Sequence, residues 1–526
     1  MTQLLDMFAF ISVLVRGLSL SFEALTVGGV IFLTVVAGSQ HVLRLLSWFS
    51  ALLAITQICS VALNSAILAG TTGMEWTEVT GAGFCIAGVL ITVGALGVGR
   101  LARTHMAPVA GLIACAFILS GSVMNSHSFG RLEHRWISVA LTFAHHLAGA
   151  AWVGGILYLL VMLRHVSEPS AAAEIAKRFS RLAIFSVAVL VCAGATLSVF
   201  YVGSLTAFGG TTYGIMLLSK VILTAALLIL GGLNLRIVRA AQGGGSPTLL
   251  PLCRFAEAEL GVGLTILLAA ASLTSTPPAI DVQADLVKAP EIAARMTPKW
   301  PSLRTPAVTD LSPVTSLSLP RDASRPGSFV PGQLIHPNTP ADIAWSEYNH
   351  HWAGLLVLSM GLLSLIARRF AWARGWPLIF FGLAAFLFIR ADSENWPLGP
   401  RGFWESFQVA EVAQHRFFVL LILVFAVFEW RVQTGRTARQ RAGLVFPFVC
   451  VVGGALLLTH SHSLGNVKDE YFAELSHLPL SILAVIAGWS RWLEIRLPRY
   501  RGHFVSWIWP TCFTLIGVVL ISYRES

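Results

Sequence analysis

The sequence predicts an all-α, polytopic membrane protein, and three observations predict it. Of 526 residues, 55% are hydrophobic and only 12% charged, with a mean hydropathy of +0.73; a soluble globular domain is far less apolar. Apolar runs of about 17–25 residues recur from end to end, each long enough to cross a hydrocarbon core of roughly 30 Å as a helix. Arginine and lysine gather in alternate loops, the asymmetry that fixes orientation in a membrane.

Taken in order, the expected spans are 8–36, 45–69, 79–98, 107–124, 137–163, 180–203, 213–235 and 255–275, then 349–367, 376–391, 415–431, 442–460, 477–495 and 504–523. That makes about fourteen transmembrane helices in two bundles, about eight and then about six. The first span opens in MTQLLDMF, which lacks the basic n-region and small-residue cleavage site of a signal peptide, so it is expected to be retained. Basic clusters follow alternate spans, with Arg100 and Arg103 first, then Arg164, Lys177, Arg178 and Arg181, then Arg236, Arg239 and Arg254. In the second half they are Arg368, Arg369 and Arg374, then Arg431, Arg436, Arg439 and Arg441, then Arg491, Arg496, Arg499 and Arg501. With these loops cytoplasmic, both termini are expected to be extracytoplasmic. The formal charge of +10 is thus a matter of topology and implies no nucleic-acid partner.

Residues 276–348 interrupt the pattern. They hold about half of the 23 prolines, including Pro277, Pro278, Pro290, Pro298 and Pro301, and show little periodicity. An extracytoplasmic linker is expected there, between an eight-helix domain over 1–275 and a six-helix, histidine-rich domain over 349–526. Cys59, Cys85, Cys115, Cys192, Cys253, Cys450 and Cys512 fall in or beside the spans without any CxxC, which argues against disulfides and thiolate metal sites. Short echoes link the halves: SHSFG at 126–130 with SHSLG at 461–465, and HHLAG at 145–149 with HHWAG at 350–354.

Placed on this topology, His127, His134, His145, His146, His350, His351, His415, His460, His462 and His477 map to outer helix ends or loops. His41, His105, His165 and His503 lie at the cytoplasmic side, and His336 lies in the linker. A single interfacial histidine usually just snorkels. Clustered imidazoles suit copper, zinc or iron, and several helices delivering them to one depth can assemble a three- or four-nitrogen site. Neighbours such as His145 and His146 diverge by about 100° on a helix, so one ligand and one supporting group is expected from each pair. His460 and His462 diverge by about 200° unless the helix ends there.

Carboxylates accompany these positions. Glu347 precedes His350 by three residues, Glu474 precedes His477 by three and Glu411 precedes His415 by four, spacings that share a helical face. A glutamate early in a helix is also favoured by the dipole alone. Glu23 falls near the middle of the first span, seven residues after Arg16, and Lys220 lies inside the seventh. Charges at such depth usually face a bundle interior or a polar pathway. Two arrangements are open for Glu23: an ion pair with Arg16, or a polar route with Gln57 and Asn64.

HHLAGAAWVGGILYLLVMLR at 145–164, RFSRLAIFSVAVLVCAGATLSVF at 178–200 and TTYGIMLLSKVILTAALLILGGLNLRIVRA at 211–240 resemble the copper resistance D domain of the CopD/PcoD type. FAEAELGVGLTILLAAASLTSTPP at 255–278 is similar to the family's closing helix. The resemblance covers about residues 120–280 and extends loosely back to residue 1. It implies a multi-pass protein of the bacterial inner membrane that handles copper, working with a periplasmic copper carrier. On the matching positions it points to His145 and His146 before Trp152, to Lys220, and to His127. The half after residue 349 goes beyond the core domain, and nine methionines without a Met-rich run depart from the thioether pattern of a Cu(I) carrier.

Copper transport or acquisition, with a metal site at the outer face, is therefore the leading expectation, and the protein is expected to be a transporter or metal-handling protein rather than an enzyme. The expected metal residues are His127, His145, His146, His350, His351, His415, His460, His462 and His477, supported by Glu23, Lys220, Glu347, Glu411 and Glu474. Two alternatives stay open: an electron-transfer protein with haem b held by paired histidines, and a metalloenzyme or assembly subunit of a membrane complex using the same cluster. The lipid bilayer is a partner in every case.

Overall fold

The computed structural model describes residues 2–104, 106–242, 249–297, 299–311, 339–393, 395–408, 410–437, 439–459, 467–497 and 504–525. Among these residues every regular element is helical, and strand-like pairing is confined to a bridge between Asn395 and Arg401. The first part of the chain forms α1 (Thr2–Val35), α2 (Gln40–Thr72), α3 (Trp76–Val79), α4 (Gly83–Arg103), α5 (Pro108–Met124), α6 (His127–Gly130) and α7 (Arg135–Gly149). A π-helical segment, Ala150–Gly154, joins α7 to α8 (Gly155–His165), followed by α9 (Pro169–Val202), α10 (Leu205–Gly210), α11 (Thr212–Gln242) and α12 (Leu250–Ser275). Then come α13 (Ala289–Met296), α14 (Pro340–Ile366), α15 (Ile379–Arg390), α16 (Ala410–Gln433), α17 (Arg439–Ala442), α18 (Val445–Leu458), α19 (Val467–Arg496) and α20 (Val505–Ile521).

Among the described residues, ten helical spans are long and apolar enough to cross a membrane, and Pro108–Met124, Val445–Leu458 and Val505–Ile521 are shorter apolar helices. The chain is a multi-pass, all-helical membrane protein. It divides into two compact units, one chiefly Met1–Leu286 and the other chiefly Val287–Leu457 with His462–Ser526.

The proline-rich segment holds more local structure than its composition suggests. A 3-10 turn covers Ala279–Asp285, and α13 follows, opened by Pro290 in its first turn. The helix expected from 349 starts at Pro340, because Thr339 caps it: its hydroxyl accepts from the Asp342 amide while the Asp342 carboxylate accepts from the Thr339 amide.

In the first unit α1 packs on α2, α12 and the π-helical segment, and α11 lies along α12. Lipid tails are as apolar as leucine, so close backbone approach has to supply the attraction between helices. Gly28 and Gly154 provide it: a Cβ on Gly154 would collide with the Ala24 carbonyl, and one on Gly28 with the Ala150 carbonyl. Tyr158 of α8, fully buried, adds a tie to α1 by donating its hydroxyl to the Leu25 carbonyl at 2.9 Å. Ala150 and Gly154 thus form a docking surface for α1.

In the second unit α14 runs along α20, with Gly354, Gly361 and Gly517 admitting the opposing backbone. Beside them Trp376, Phe446, Trp509 and Phe513 form an aromatic core. At the arginine-rich end of this unit Glu494, on α19, accepts from Arg368 (2.5 Å), Arg491 (2.6 Å) and the Trp509 indole (2.8 Å).

Candidate functional site

The first unit contains a cavity of about 420 Å³ between α6, α7, α9, α11 and the end of α12. His127, His145, His146, Tyr201, Tyr213 and Lys220 line it. An adjoining space of about 180 Å³ adds Arg16 and Glu23 from α1 to His145, His146 and Lys220. Adjacent histidines on α7 both reach this space because α9 and α1 flank the helix on either side. His145 Nδ1 lies 3.2 Å from the Leu190 carbonyl of α9, and His146 Nδ1 lies 3.3 Å from Glu23 Oε1 and 3.2 Å from Ser122 Oγ. With each Nδ1–H donating to these acceptors, each Nε2 keeps its lone pair, the tautomer that presents nitrogen to a metal. The two rings are 6.5 Å apart between centroids.

Glu23 is buried at 4% exposure, and its contact is His146 rather than Arg16. Arg16 instead donates to the Asn125 carbonyl at 3.3 Å. The polar route is not assembled as expected either: Gln57 accepts from Ser19 at 3.0 Å, and Asn64 donates back to the Ser60 carbonyl of its own helix. Lys220 makes no hydrogen bond or ion pair among the described residues and adds a cation to the cavity lining.

His127 enters the same cavity from α6, packed edge-on against Tyr201 and Tyr213, with its Nε2 buried and unpartnered among the described residues. Burial lowers its pKa from the ordinary 6.5, partly offset by a hydrogen bond to the Leu273 backbone and by Asp281. Ser128 Oγ joins the Thr142 hydroxyl (2.5 Å) and the Tyr201 hydroxyl (2.6 Å), completing a polar wall. His134 is turned away, stacked on Phe200.

The remaining candidates lie in the second unit. His350 Nδ1 is 2.9 Å from the Ser346 carbonyl and its ring stacks on Tyr523 at 3.8 Å, while His477 meets the same tyrosine edge-on. His351, fully buried, accepts from the Ser302 amide at 2.8 Å through Nδ1, and its Nε2 lies 3.0 Å from the Tyr523 carbonyl. Glu347 faces Arg524 at 3.5 Å instead of His350. His415 pairs with Asp392 at 2.9 Å, a partner from the preceding loop that helical spacing could not reveal. Glu474 is buried at 3% exposure. His460 and His462, and the side chain of Glu411, lie outside the described residues.

Among the described residues, no three histidine, cysteine, aspartate or glutamate side chains converge as a metal site. The expected three- or four-nitrogen centre is therefore not assembled there. What the first unit offers is a pair of imidazoles, one backed by a carboxylate, in a largely apolar cavity.

One polar cluster went unnoticed in the sequence. Glu259 of α12 accepts from the Trp152 indole at 2.8 Å and from Asn234 Nδ2 of α11 at 2.6 Å. It lies 4% exposed beside a cavity of about 200 Å³. The signal was present: a glutamate and an asparagine within apolar spans are costly and rarely incidental.

Residues 173–273 match the family model described as Copper resistance protein D. Over 149 residues, 28% of this chain, the sequence is 29% identical to the Copper transport protein CutJ of Bacillus subtilis (strain 168). The match spans 26% of that relative, so the chain covers about a quarter of its length. No solved structure matches. The matched segment runs from the start of α9 to the end of α12 and supplies Leu190, Tyr201, Tyr213, Lys220, Asn234 and Glu259 to the two cavities. Residues 173–273 are thus similar to copper resistance protein D, within a multi-pass helical membrane chain.

Proposed function

We propose that this chain transports or acquires copper across the bacterial inner membrane, and that its cargo binds in the His145–His146 cavity of the first unit. The observation that carries the reading is the pair of imidazoles whose Nδ1 atoms are engaged by Leu190 and Glu23, leaving two Nε2 donors beside a cavity walled by the copper resistance protein D segment. Imidazole nitrogen suits copper in either common oxidation state. A site with few fixed ligands also suits cargo, which has to leave as well as enter. Glu23 supplies a negative charge beside His146, while Lys220 opposes a cation and limits how tightly it is held.

His127 and the Tyr201–Ser128–Thr142 hydroxyls form the polar approach to the pair. On the orientation argued from the basic loops, that approach opens to the periplasm, where a copper-carrier protein delivers the ion. Elemental analysis and an absorption spectrum of the purified chain test the reading. Bound copper that disappears in His145→Ala/His146→Ala is expected, without a Soret band. A Soret band with no copper would replace cargo binding by haem ligation.

A further inference from the structure

Glu259 has no role in the histidine cavity, and its surroundings are unusual for a carboxylate. Both of its partners are neutral N–H donors, Trp152 Nε1 on Oε1 and Asn234 Nδ2 on Oε2. It forms no ion pair among the described residues. The charged groups on the helices around it make no contact with Glu259 among the described residues. Glu257, on the same helix, holds Arg164 of α8 and Arg254. Glu23 of α1 holds His146, and Arg16 of α1 binds a backbone carbonyl. Lys177 and Arg178 of α9 share Glu174, and Lys220 of α11 lines the other cavity; His165 of α8 stacks on His41, and Arg181 of α9 and Arg236 and Arg239 of α11 are the remaining charged groups. An ionised carboxylate with no cation beside it is expensive in such a setting.

Nor does the site resemble a metal cage. A hard cation seeks about six oxygens, whereas this site offers one carboxylate and the Asn234 amide. The amide does have a free acceptor: Asn234 is 8% exposed, and its Oδ1 is buried without a partner. The 2.6 Å Asn234–Glu259 contact lies within the span of O–H···O bonds and slightly below that of N–H···O bonds. Turning the amide by half a rotation places Oδ1 against Oε2, so the same pair can bind the ionised acid, with the amide donating, or the neutral acid, with the amide accepting.

We infer that Glu259 is a proton-carrying site, loaded from the arginine-rich end of the first unit and coupled to the histidine pair through Trp152. Hydronium gives its proton to Oε2, forming the O–H bond and releasing water; no electron moves. The 200 Å³ cavity beside Glu259 reaches Ala176, Val238 and Leu252 at the arginine-rich ends of α9, α11 and α12, whereas the histidine cavity opens toward Tyr201 and Tyr213 at the opposite ends. Leu228 lines both. Trp152 belongs to the π-helical segment, a device frequent at functional sites, and lies six residues after His146, about 9 Å along the axis. Protonation removes the charge that the indole binds and so acts on the helix that carries both imidazoles.

The coupling rests on the copper reading; the proton site does not. Difference infrared spectroscopy of the full chain in lipid tests the site by itself. A titrating band of a neutral carboxylic acid is expected in the wild type, absent in Glu259→Gln and displaced in Glu259→Asp. No difference between wild type and Glu259→Gln overturns the inference. In vesicles, an imposed pH gradient is expected to accelerate copper movement by the wild type and to have lost that effect in Glu259→Gln, which still binds copper. A full gradient response in Glu259→Gln overturns the coupling. A wild type that binds no copper defeats the copper reading, while the infrared band still decides for or against Glu259.

Discussion

Glu23 offers the sharpest test of the proposed copper site. Its carboxylate sits 3.3 Å from His146 Nδ1, where it orients the ring and leaves Nε2 as the nitrogen that faces a metal. Removing such a partner typically weakens metal binding by about 10–100-fold, or about 1.4–2.8 kcal/mol. His146 has a second neighbour, Ser122 Oγ at 3.2 Å, which can keep the ring in place when the carboxylate is neutralised. Glu23→Gln is therefore expected at the lower end, about 10-fold, and Glu23→Gln/Ser122→Ala near the upper end, about 100-fold. In a His146→Ala background Glu23→Gln should add little, because the ring through which it acts is gone. Equilibrium competition against a copper chelator of known affinity, on the detergent-solubilised chain, reads each value. Equal losses from Glu23→Gln with and without His146, or no loss at all, would refute the pairing as a determinant of binding.

Three further outcomes follow from other contacts. Lys220→Met removes a cation from the lining of both histidine spaces and is expected to raise copper affinity several-fold in the same competition assay while slowing release. Glu494→Gln breaks a buried cluster shared by Arg368, Arg491 and Trp509 and should destabilise the protein by about 3–5 kcal/mol in denaturant unfolding, with copper binding unchanged. Burial lowers the pKa of His127, so the fold favours its neutral form: that contribution is complete above the ordinary value of 6.5 and is lost as pH falls toward the folded value. Thermal stability should accordingly decline on acidification through that interval, and His127→Phe should flatten the decline.

Hydropathy made the helices legible because each apolar run has to satisfy its own backbone in lipid. Their one-dimensional period also placed Glu23 and Lys220 inside spans, whereas His145 and His146, expected at an outer helix end, lie within the Arg135–His165 span beside Glu23. Periodicity could not choose partners between helices. Arg16 and Glu23 share a face, yet the close approach of α1 to the π-helical segment at Gly28 and Gly154 brings Glu23 to His146 instead. The same limit applies to His415, where same-helix spacing suggested Glu411 and the folded chain supplies Asp392 from a loop. Glu347, three residues from His350, turns to Arg524 near the C-terminal end for the same reason. Glu259 and Asn234 are visible as polar residues in apolar spans, but the hydrogen bonds that join them to each other and to Trp152 exist only between packed helices. The five-residue π segment has no sequence signature beyond AAWVG, and its effect, aiming Trp152 at Glu259, exists only once the helices are packed.

Copper flux into sealed vesicles carrying the full chain tests the central claim most directly. Wild type and His350→Ala/His477→Ala are expected to move copper at similar rates, whereas His145→Ala/His146→Ala should reduce movement to the level of protein-free vesicles. Undiminished flux in His145→Ala/His146→Ala would contradict the assignment of cargo to the first unit's cavity.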